Sequence, residues 1–303
     1  MTSATTHSPA PTGALAKTAD GPRPKKVRGR EERSPLASVA LHGTLIVASL
    51  IAAFPVVWIF FISLGPKTAW QSPGEVLGNL SLDNYAKVLT DTDFPQWFGA
   101  SVIVAGGTTL LGVFLAATAG YAVSRMRFPG HRQLMWSFLV TQMFPMAVLI
   151  VPLYELLARF DLIDNYLGLI LTYATTAVPF CAWMMKGYFD TIPHEIDEAG
   201  RVDGLTPFGT FWRLIVPLAK PGLAVTAFYS FLTAWGEVAY ASQFMGADHY
   251  TLAVGIRTFA TESRADWAMM TAASVIILVP ATLVFLLVQR NLVSGLTAGG
   301  TKS

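Results

Sequence analysis

The chain has 303 residues, of which 53% are hydrophobic and only 13% are charged, whereas soluble domains average about 25% charged residues. This composition excludes an ordinary soluble domain and indicates a protein surrounded by lipid. The formal net charge of +2 is too small to indicate a nucleic-acid partner. The single cysteine, Cys181, lies in an apolar run, so we expect it to serve in packing.

The N-terminal segment, residues 1–34, is polar and basic and contains almost no large apolar residue. Such a segment cannot bury a core, so we expect a disordered cytoplasmic tail. It is too long and polar for the first part of a signal peptide, and the apolar run after it is too long for the second part. We therefore expect that run to be retained as a helix.

Six apolar runs follow, each long enough to cross about 30 Å of hydrocarbon as a helix. The alternation typical of membrane barrel strands is absent, and an open sheet would leave backbone groups unpaired in lipid. We therefore predict an all-α membrane protein with a transmembrane domain over 35–291 and a flexible cytoplasmic tail over 292–303. The six predicted helices span about 36–64, 96–124, 133–158, 165–186, 221–244 and 267–289.

Two features of these predicted helices bear on their packing. Gly112, Ala116 and Gly120 recur every four residues in the second helix, and such a stripe of small residues lets another helix approach closely. Prolines lie within several of the helices, where each could act as a hinge or reflect ordinary membrane-helix composition. These prolines are Pro55, Pro145, Pro152, Pro179 and Pro280.

The Lys and Arg residues are distributed unevenly among the segments that connect the helices. If the N-terminus is cytoplasmic, sixteen of the 21 Lys and Arg residues lie on the cytoplasmic side and five outside. Cytoplasmic segments of membrane proteins carry an excess of these residues. We therefore predict a multi-pass protein with both termini in the cytoplasm.

The segment 192–221, between the fourth and fifth predicted helices, is too polar for lipid but has helical signals. Pro193 suits a first helical position, and acidic residues follow where they complement the helix dipole. Gly204 is a natural helix stop, and Thr206 with Pro207 marks the cap and start of a second helix. The second helix has an apolar stripe suited to packing under the bundle, which consists of Phe208, Phe211, Trp212 and Ile215. The residues alone leave two possibilities open, a docking surface for a partner and an interhelical loop without one.

This segment resembles the EAA loop of ABC-importer permeases, in which Glu-Ala-Ala is followed by three residues, Gly, nine residues and Ile-x-Leu-Pro. The chain has Glu198-Ala199-Gly200, Gly204 and Leu214-Ile215-Val216-Pro217 at the same spacings. Gly200 replaces the second Ala, and we expect it to loosen the helix slightly. The resemblance covers most of the chain after residue 35 and is to MalG-type permease subunits of maltose/maltodextrin-like ABC importers. Its other parts include TAGYAVSRMRFPG, FLTAWGEVAYA and VFLLVQRNLVSGLTAGG.

The resemblance implies a type I ABC importer permease fold and a subunit that passes a sugar from an external binding protein into the cytoplasm through the cell membrane. Maltose or maltodextrin is the implied substrate, and trehalose or another glycoside remains open. The implied partners are a second, MalF-like permease, two ABC ATPase subunits that bind ATP and Mg²⁺, and the external sugar-binding protein. The chain itself is expected to be non-catalytic, with no cofactor and no metal, and it lacks a GxxxxGK[ST] loop. The implied ATPase-coupling residues are Glu198, Ala199, Gly200, Asp203, Gly204 and Pro217.

The candidate substrate path centres on Glu237, an acidic residue in an otherwise apolar run. A buried carboxylate in a membrane helix is costly, so Glu237 either lies by the path with Trp235 and Tyr240 or is exposed at the outer end. In the latter case the two aromatic residues are boundary anchors.

The outer connection, residues 246–266, is polar. The resemblance implies that it reaches the external binding protein, and we expect contacts from Tyr250, Arg257 and Thr258. The alternative is a solvated loop.

Two other classes of function stay open. An ion-coupled secondary transporter could use Glu237 as its coupling group, but this would leave the EAA-type segment unexplained. A membrane enzyme is less well supported, because no His/Cys/Asp cluster or nucleophile motif stands out.

Overall fold

The computed structural model describes residues 35–261 and 264–300, so the predicted N-terminal tail, residues 1–34, lies outside the described residues. The α-helices in chain order are α1 Pro35–Ser63, α2 Gly74–Gly78, α3 Asp83–Thr90, α4 Phe94–Arg125, α5 His131–Thr141, α6 Met146–Arg159, α7 Tyr166–Phe189, α8 Glu195–Val202, α9 Pro207–Thr210, α10 Val216–Leu218, α11 Lys220–Trp235, α12 Ala241–Phe244, α13 Leu252–Gly255 and α14 Trp267–Gly300. A π-helix spans Phe211–Ile215, and 3₁₀ turns span Ala247–His249 and Ile256–Phe259. Strands β1 Ala260–Thr261 and β2 Arg264–Ala265 form a short antiparallel pair.

The described helices include four that are long and apolar enough to cross a membrane unbroken, namely α1, α4, α7 and α14. Two bent pairs bring the number to six if each pair is one span: α5 with α6, bent by 107°, and Pro207–Leu218 with α11, bent by 83°. Large apolar side chains such as Leu110 and Leu287 are exposed on the outer surface, as a lipid environment allows.

The chain divides into two units by its contacts, residues 1–53 and residues 54–303. The described part of the first unit is the N-terminal portion of α1, whose apolar side chains are exposed. The second unit is a helical bundle in which α4, α7 and α11 pack together. Its buried side chains form one cluster around Tyr173, Phe94 and Phe244 and a second around Met185 and Phe211.

The small-residue stripe of α4 lies where α7 and α11 approach α4 closely. A Cβ on Gly112 would lie 3.0 Å from the Ser230 hydroxyl of α11, and one on Gly120 would lie 2.9 Å from Lys186 N of α7. Ala116, between these glycines, is fully buried. The stripe therefore serves helix packing, as the sequence predicted.

The structure differs from the predicted spans at the third and fifth helices. The third, predicted over 133–158, is broken at 142–145, because Pro145 has extended backbone and lacks the N–H that would continue the helix. The fifth, predicted over 221–244, ends at Trp235 and is followed by the separate short helix α12. Residues 292–300 of the predicted flexible tail are helical, because α14 continues to Gly300, and residues 301–303 lie outside the described residues.

Candidate coupling segment and translocation path

The EAA-like segment folds as two short helices joined by a tight turn at Gly204. The N–H of Leu205 donates to the Gly200 carbonyl over 2.9 Å, and the N–H of Gly204 donates to the Arg201 carbonyl over 3.0 Å. This pair of hydrogen bonds is a Schellman motif, which needs a left-handed residue, and Gly204 has φ +77°. Thr206 then caps α9 by accepting a hydrogen bond from Gly209 N at 3.1 Å.

Gly200 lies where α8 crosses the start of the π-helical stretch. It is buried, and a Cβ there would lie 2.8 Å from the Thr210 hydroxyl oxygen and 3.1 Å from Leu214 Cδ1. The expectation that Gly200 merely loosens its helix is therefore incomplete, because the missing side chain is what allows α8 to pack this closely.

A buried ion pair joins α8 to the end of α4. Arg125 Nε lies 2.9 Å from Asp197 Oδ2, and the two side chains are only 4% and 5% exposed. The Tyr121 hydroxyl donates to Asp197 Oδ1 over 2.7 Å, and Arg125 Nη2 donates to the Ile192 carbonyl over 2.8 Å. The segment is therefore fixed to the transmembrane helix by charge-assisted contacts at two points.

Sequence reasoning missed this ion pair. It counted Arg125 only toward the orientation of the chain and Asp197 only as an acidic residue of a first helical turn. The available signal was that Asp197 and Gly200 are three residues apart, so they share a helix face.

The predicted coupling residues divide into two groups by exposure. Glu198, Ala199 and Asp203 are exposed on α8, whereas Gly200 and Gly204 shape the hairpin. Pro217, on α10, is also exposed and lies at the return toward α11.

Two exposed apolar side chains lie beside the acidic residues of α8. Val202 is 87% exposed and Phe208 is 67% exposed. The predicted apolar stripe is therefore corrected: Phe211 and Ile215 are buried in the bundle, but Phe208 and Trp212 are not. We call the exposed set Glu198, Ala199, Val202, Asp203 and Phe208 the α8 face.

Glu237 is buried between α11 and α12, which excludes the exposed position at the outer end, and its alternative position by the substrate path stays a prediction. Its Oε2 accepts a hydrogen bond from the Tyr173 hydroxyl at 2.7 Å. The backbone N–H groups of Tyr240 and Ala241 donate to the same carboxylate over 3.0 Å and 3.2 Å. The carboxylate therefore accepts hydrogen bonds from backbone N–H groups at the start of α12.

The two aromatic residues predicted near Glu237 have different surroundings. Trp235 is buried, stacks on Phe231 with ring centroids 5.2 Å apart and donates its indole N–H to the Ile277 carbonyl over 3.3 Å. It is therefore a core residue rather than a boundary anchor. Tyr240 is fully buried and borders a cavity of about 360 Å³ beside the break between α5 and α6.

The three residues predicted to contact a binding protein lie together. Tyr250, Arg257 and Thr258 border one cavity of about 450 Å³. Arg257 and Thr258 are exposed, and Tyr250 is half-buried. The structure thus brings these three into one patch at the end of the bundle opposite α8.

Asp164 ties the turn between α6 and α7 to this same end, which sequence reasoning did not anticipate. Its Oδ1 accepts from the Gly246 N–H at 2.7 Å and lies 2.9 Å from His249 Nδ1. The Gly246 N–H, followed by His249, lowers the pKa of the Asp164 carboxyl from its usual value of 3.8, against the opposing effect of partial burial.

In the described part of the chain, no group of three or more His, Cys, Asp or Glu side chains could hold a metal ion.

Comparison with known proteins identifies the family. The family model described as binding-protein-dependent transport system inner membrane component matches residues 108–297. The maltose/maltodextrin transport system permease protein MalG of Salmonella typhimurium (strain LT2) is 37% identical over 284 residues, which cover 86% of this chain and 94% of that protein. The trehalose transport system permease protein SugB of Mycobacterium tuberculosis is 34% identical over 266 residues, which cover 87% of this chain and 96% of that protein.

A solved structure supports the fold. One chain of a bacterial ABC transporter involved in the import of the acidic polysaccharide alginate has a TM-score of 0.71 at 21% identity, covering 84% of this chain and 96% of that chain. The predicted type I permease fold is therefore confirmed. In this family ATP is hydrolysed by separate subunits, which confirms the prediction of a non-catalytic chain. The chain belongs to the family of binding-protein-dependent transport system inner membrane components and is a permease subunit of an ABC importer.

Proposed function

We propose that this chain forms half of the membrane path of an ATP-driven importer for a neutral sugar, either maltose or maltodextrin or a related oligosaccharide such as trehalose. The named substrates of its relatives, maltose/maltodextrin and trehalose, support the sugar class. A second, MalF-like permease completes the path, two ATPase subunits bind ATP and Mg²⁺, and an external binding protein delivers the sugar.

The observation that carries this proposal is the rigid connection between α8 and α4. An ATPase can move the transmembrane helices only if the segment that it contacts is rigidly attached to them. The Asp197–Arg125 pair and the Arg125–Ile192 hydrogen bond fix α8 to the end of a 32-residue helix. Movement of α8 therefore moves α4, and through the close contact at Gly120 it also moves α7.

The α8 face supplies the docking surface for the ATPase in this proposal. Val202 and Phe208 are apolar side chains in a polar segment, and covering them would remove apolar area from water. Glu198 and Asp203 beside them favour a cleft with basic groups at its rim.

At the opposite end, the patch of Tyr250, Arg257 and Thr258 is the proposed contact for the external binding protein. Its mixed aromatic, basic and hydroxyl chemistry suits a transient interface that also forms polar contacts.

The proposal places α8 and both termini in the cytoplasm, which cysteine labelling tests. The native Cys181 is buried, so background labelling is low. In intact cells, a membrane-impermeant maleimide should label Ala247→Cys, at the outer end, and should not label Val202→Cys on α8. Labelling of Val202→Cys from outside would contradict the proposed orientation.

The functional test is purification of the complex on a tag carried by this chain, followed by ATPase assays with the binding protein and trehalose, maltotriose or a trimeric uronate. We expect an ATPase and a second permease to co-purify, and hydrolysis to rise with one of the neutral sugars. Failure of any ATPase to co-purify, together with sugar uptake that needs no nucleotide, would refute the proposal.

No described contact favours the ion-coupled alternative. The Glu237 carboxylate accepts hydrogen bonds from one hydroxyl and two backbone N–H groups. These contacts give the Glu237 side chain a structural role at the start of α12.

A further inference from the structure

If α5 and α6 together form one membrane span, the break between them places irregular backbone near the middle of the membrane. At 1.5 Å per residue the 11 residues of α5 span about 16 Å, roughly half the hydrocarbon thickness. Irregular backbone at this depth is tolerated where it is buried in protein or lines a wet cavity. Gln142 and Phe144, within the break, border a cavity of about 360 Å³, which lies among α5, α6, α7 and α11.

The side chains that line this cavity are uncharged, and several of them are polar. Its volume is within the range of about 300–1,000 Å³ typical of small-molecule sites. A charged ligand group placed here would find no opposite charge among these side chains, at a considerable cost. The polar members are Thr141, Gln142, Thr175, Thr176, Tyr229 and Thr233.

The hydroxyl groups of this lining are arranged mainly as acceptors. Thr176 donates its proton to the Tyr173 carbonyl over 2.8 Å, and Thr233 donates to the Tyr229 carbonyl over 2.9 Å. The Gln142 amide nitrogen donates to the Thr176 carbonyl over 2.9 Å, which leaves its own oxygen as an acceptor. A ligand rich in hydroxyl donors complements such a surface.

Two tyrosines complete the lining. Tyr229 packs on Phe180 with ring centroids 4.5 Å apart, so its ring orientation is fixed, and it can offer a flat face to the C–H side of a sugar ring. The Tyr240 hydroxyl is buried and has no hydrogen-bond partner in the described part of the chain. An unpaired buried hydroxyl is costly, and a ligand hydroxyl would satisfy it.

We infer that this cavity is a neutral-saccharide subsite contributed by this chain to the membrane path. Gln142, Thr176 and Thr233 accept hydrogen bonds from sugar hydroxyls, Tyr229 contacts a ring face, and Tyr240 supplies a further hydroxyl. The inference rests on the proposed function and deepens it, because it names the part of this chain that holds the substrate.

The test compares Gln142→Leu, Thr176→Val, Thr233→Val and Tyr240→Phe in the complete transporter, reconstituted in vesicles with saturating loaded binding protein. These changes remove hydrogen-bonding groups with little change of shape. Thr271→Val on α14 is the matched control, because its hydroxyl also donates to a helix carbonyl four residues back but does not line the cavity. The readouts are labelled maltotriose or trehalose delivered per ATP hydrolysed and the KM for the loaded binding protein.

We expect each cavity variant to deliver about 3- to 10-fold less sugar per ATP with an unchanged KM, since each loses about one hydrogen bond to the sugar. The control should match the wild type. Cavity variants that all match the wild type would overturn the subsite while leaving the importer intact. If only the trimeric uronate stimulated ATP hydrolysis by the wild-type complex, the assignment of the subsite to neutral saccharides would be overturned. A wild-type complex whose ATP hydrolysis does not depend on any sugar would contradict the proposed function itself.

Discussion

The Asp197–Arg125 pair gives the sharpest test of how α8 is held. Asp197→Asn keeps the size of the side chain but leaves the Arg125 charge buried, in a site where both side chains are no more than 5% exposed. Removing one partner of a buried pair typically costs about 3–5 kcal/mol, because the remaining charge is uncompensated. The hydrogen bond from Arg125 to the Ile192 carbonyl remains in this variant. We therefore expect the loss of unfolding free energy to lie near the lower end of this range.

The measurement is unfolding in mixed micelles, with ATP hydrolysed per sugar delivered as a second readout. The double variant Arg125→Met/Asp197→Leu should recover most of the lost stability, because neither charge remains to be buried. The control is Asp190→Asn, which breaks a pair 30% and 44% exposed and should cost at most about 1 kcal/mol. A cost below about 1 kcal/mol for Asp197→Asn, or a double variant no more stable than Asp197→Asn, would refute the reasoning.

Three further predictions concern other contacts. Glu198→Lys should leave stability within about 0.5 kcal/mol of wild type, because the side chain is exposed, but should weaken ATPase co-purification, and unchanged recovery of the ATPase would count against the docking role. Gly200→Ala should cost about 1–3 kcal/mol in an unfolding assay, because its Cβ would lie 2.8 Å from the Thr210 hydroxyl, and adding Thr210→Ala should restore the loss. The lowered pKa of Asp164 means that its stabilising contribution is present above its ordinary value of 3.8 and is lost as the pH falls through the lower folded value. The stability difference between wild type and Asp164→Asn should therefore be present near pH 6 and disappear in acid, and a difference that persists there would contradict the assignment.

Features that depend on local composition could be read from the sequence. The ends of the predicted first, second and fourth spans lie within three residues of the observed helices. The stop at Gly204 and the cap at Thr206 also lie where predicted, because a left-handed turn and a helix cap are set by one or two residues. The spacing of the EAA-like segment identified the family for the same reason.

The remaining features were decided by residues far apart in the chain. Asp197 and Arg125 are brought together by the packing of α8 under α4, and no periodicity in either segment indicates that pair. Glu237 is likewise held by Tyr173 from another helix, a contact that the local sequence around Glu237 does not indicate. The cavity beside the α5–α6 break draws its polar groups from separate helices.

The sequence by itself therefore determined that the chain spans a membrane, which segment lies outside the lipid and to which family it belongs. Only the tertiary structure decided which charges are buried as partners, which apolar side chains of the EAA-like segment remain exposed and where the fifth span ends. The physical reason is that burial of a polar group in or near lipid depends on whether a partner is supplied from elsewhere in the fold, and a linear pattern does not contain that information.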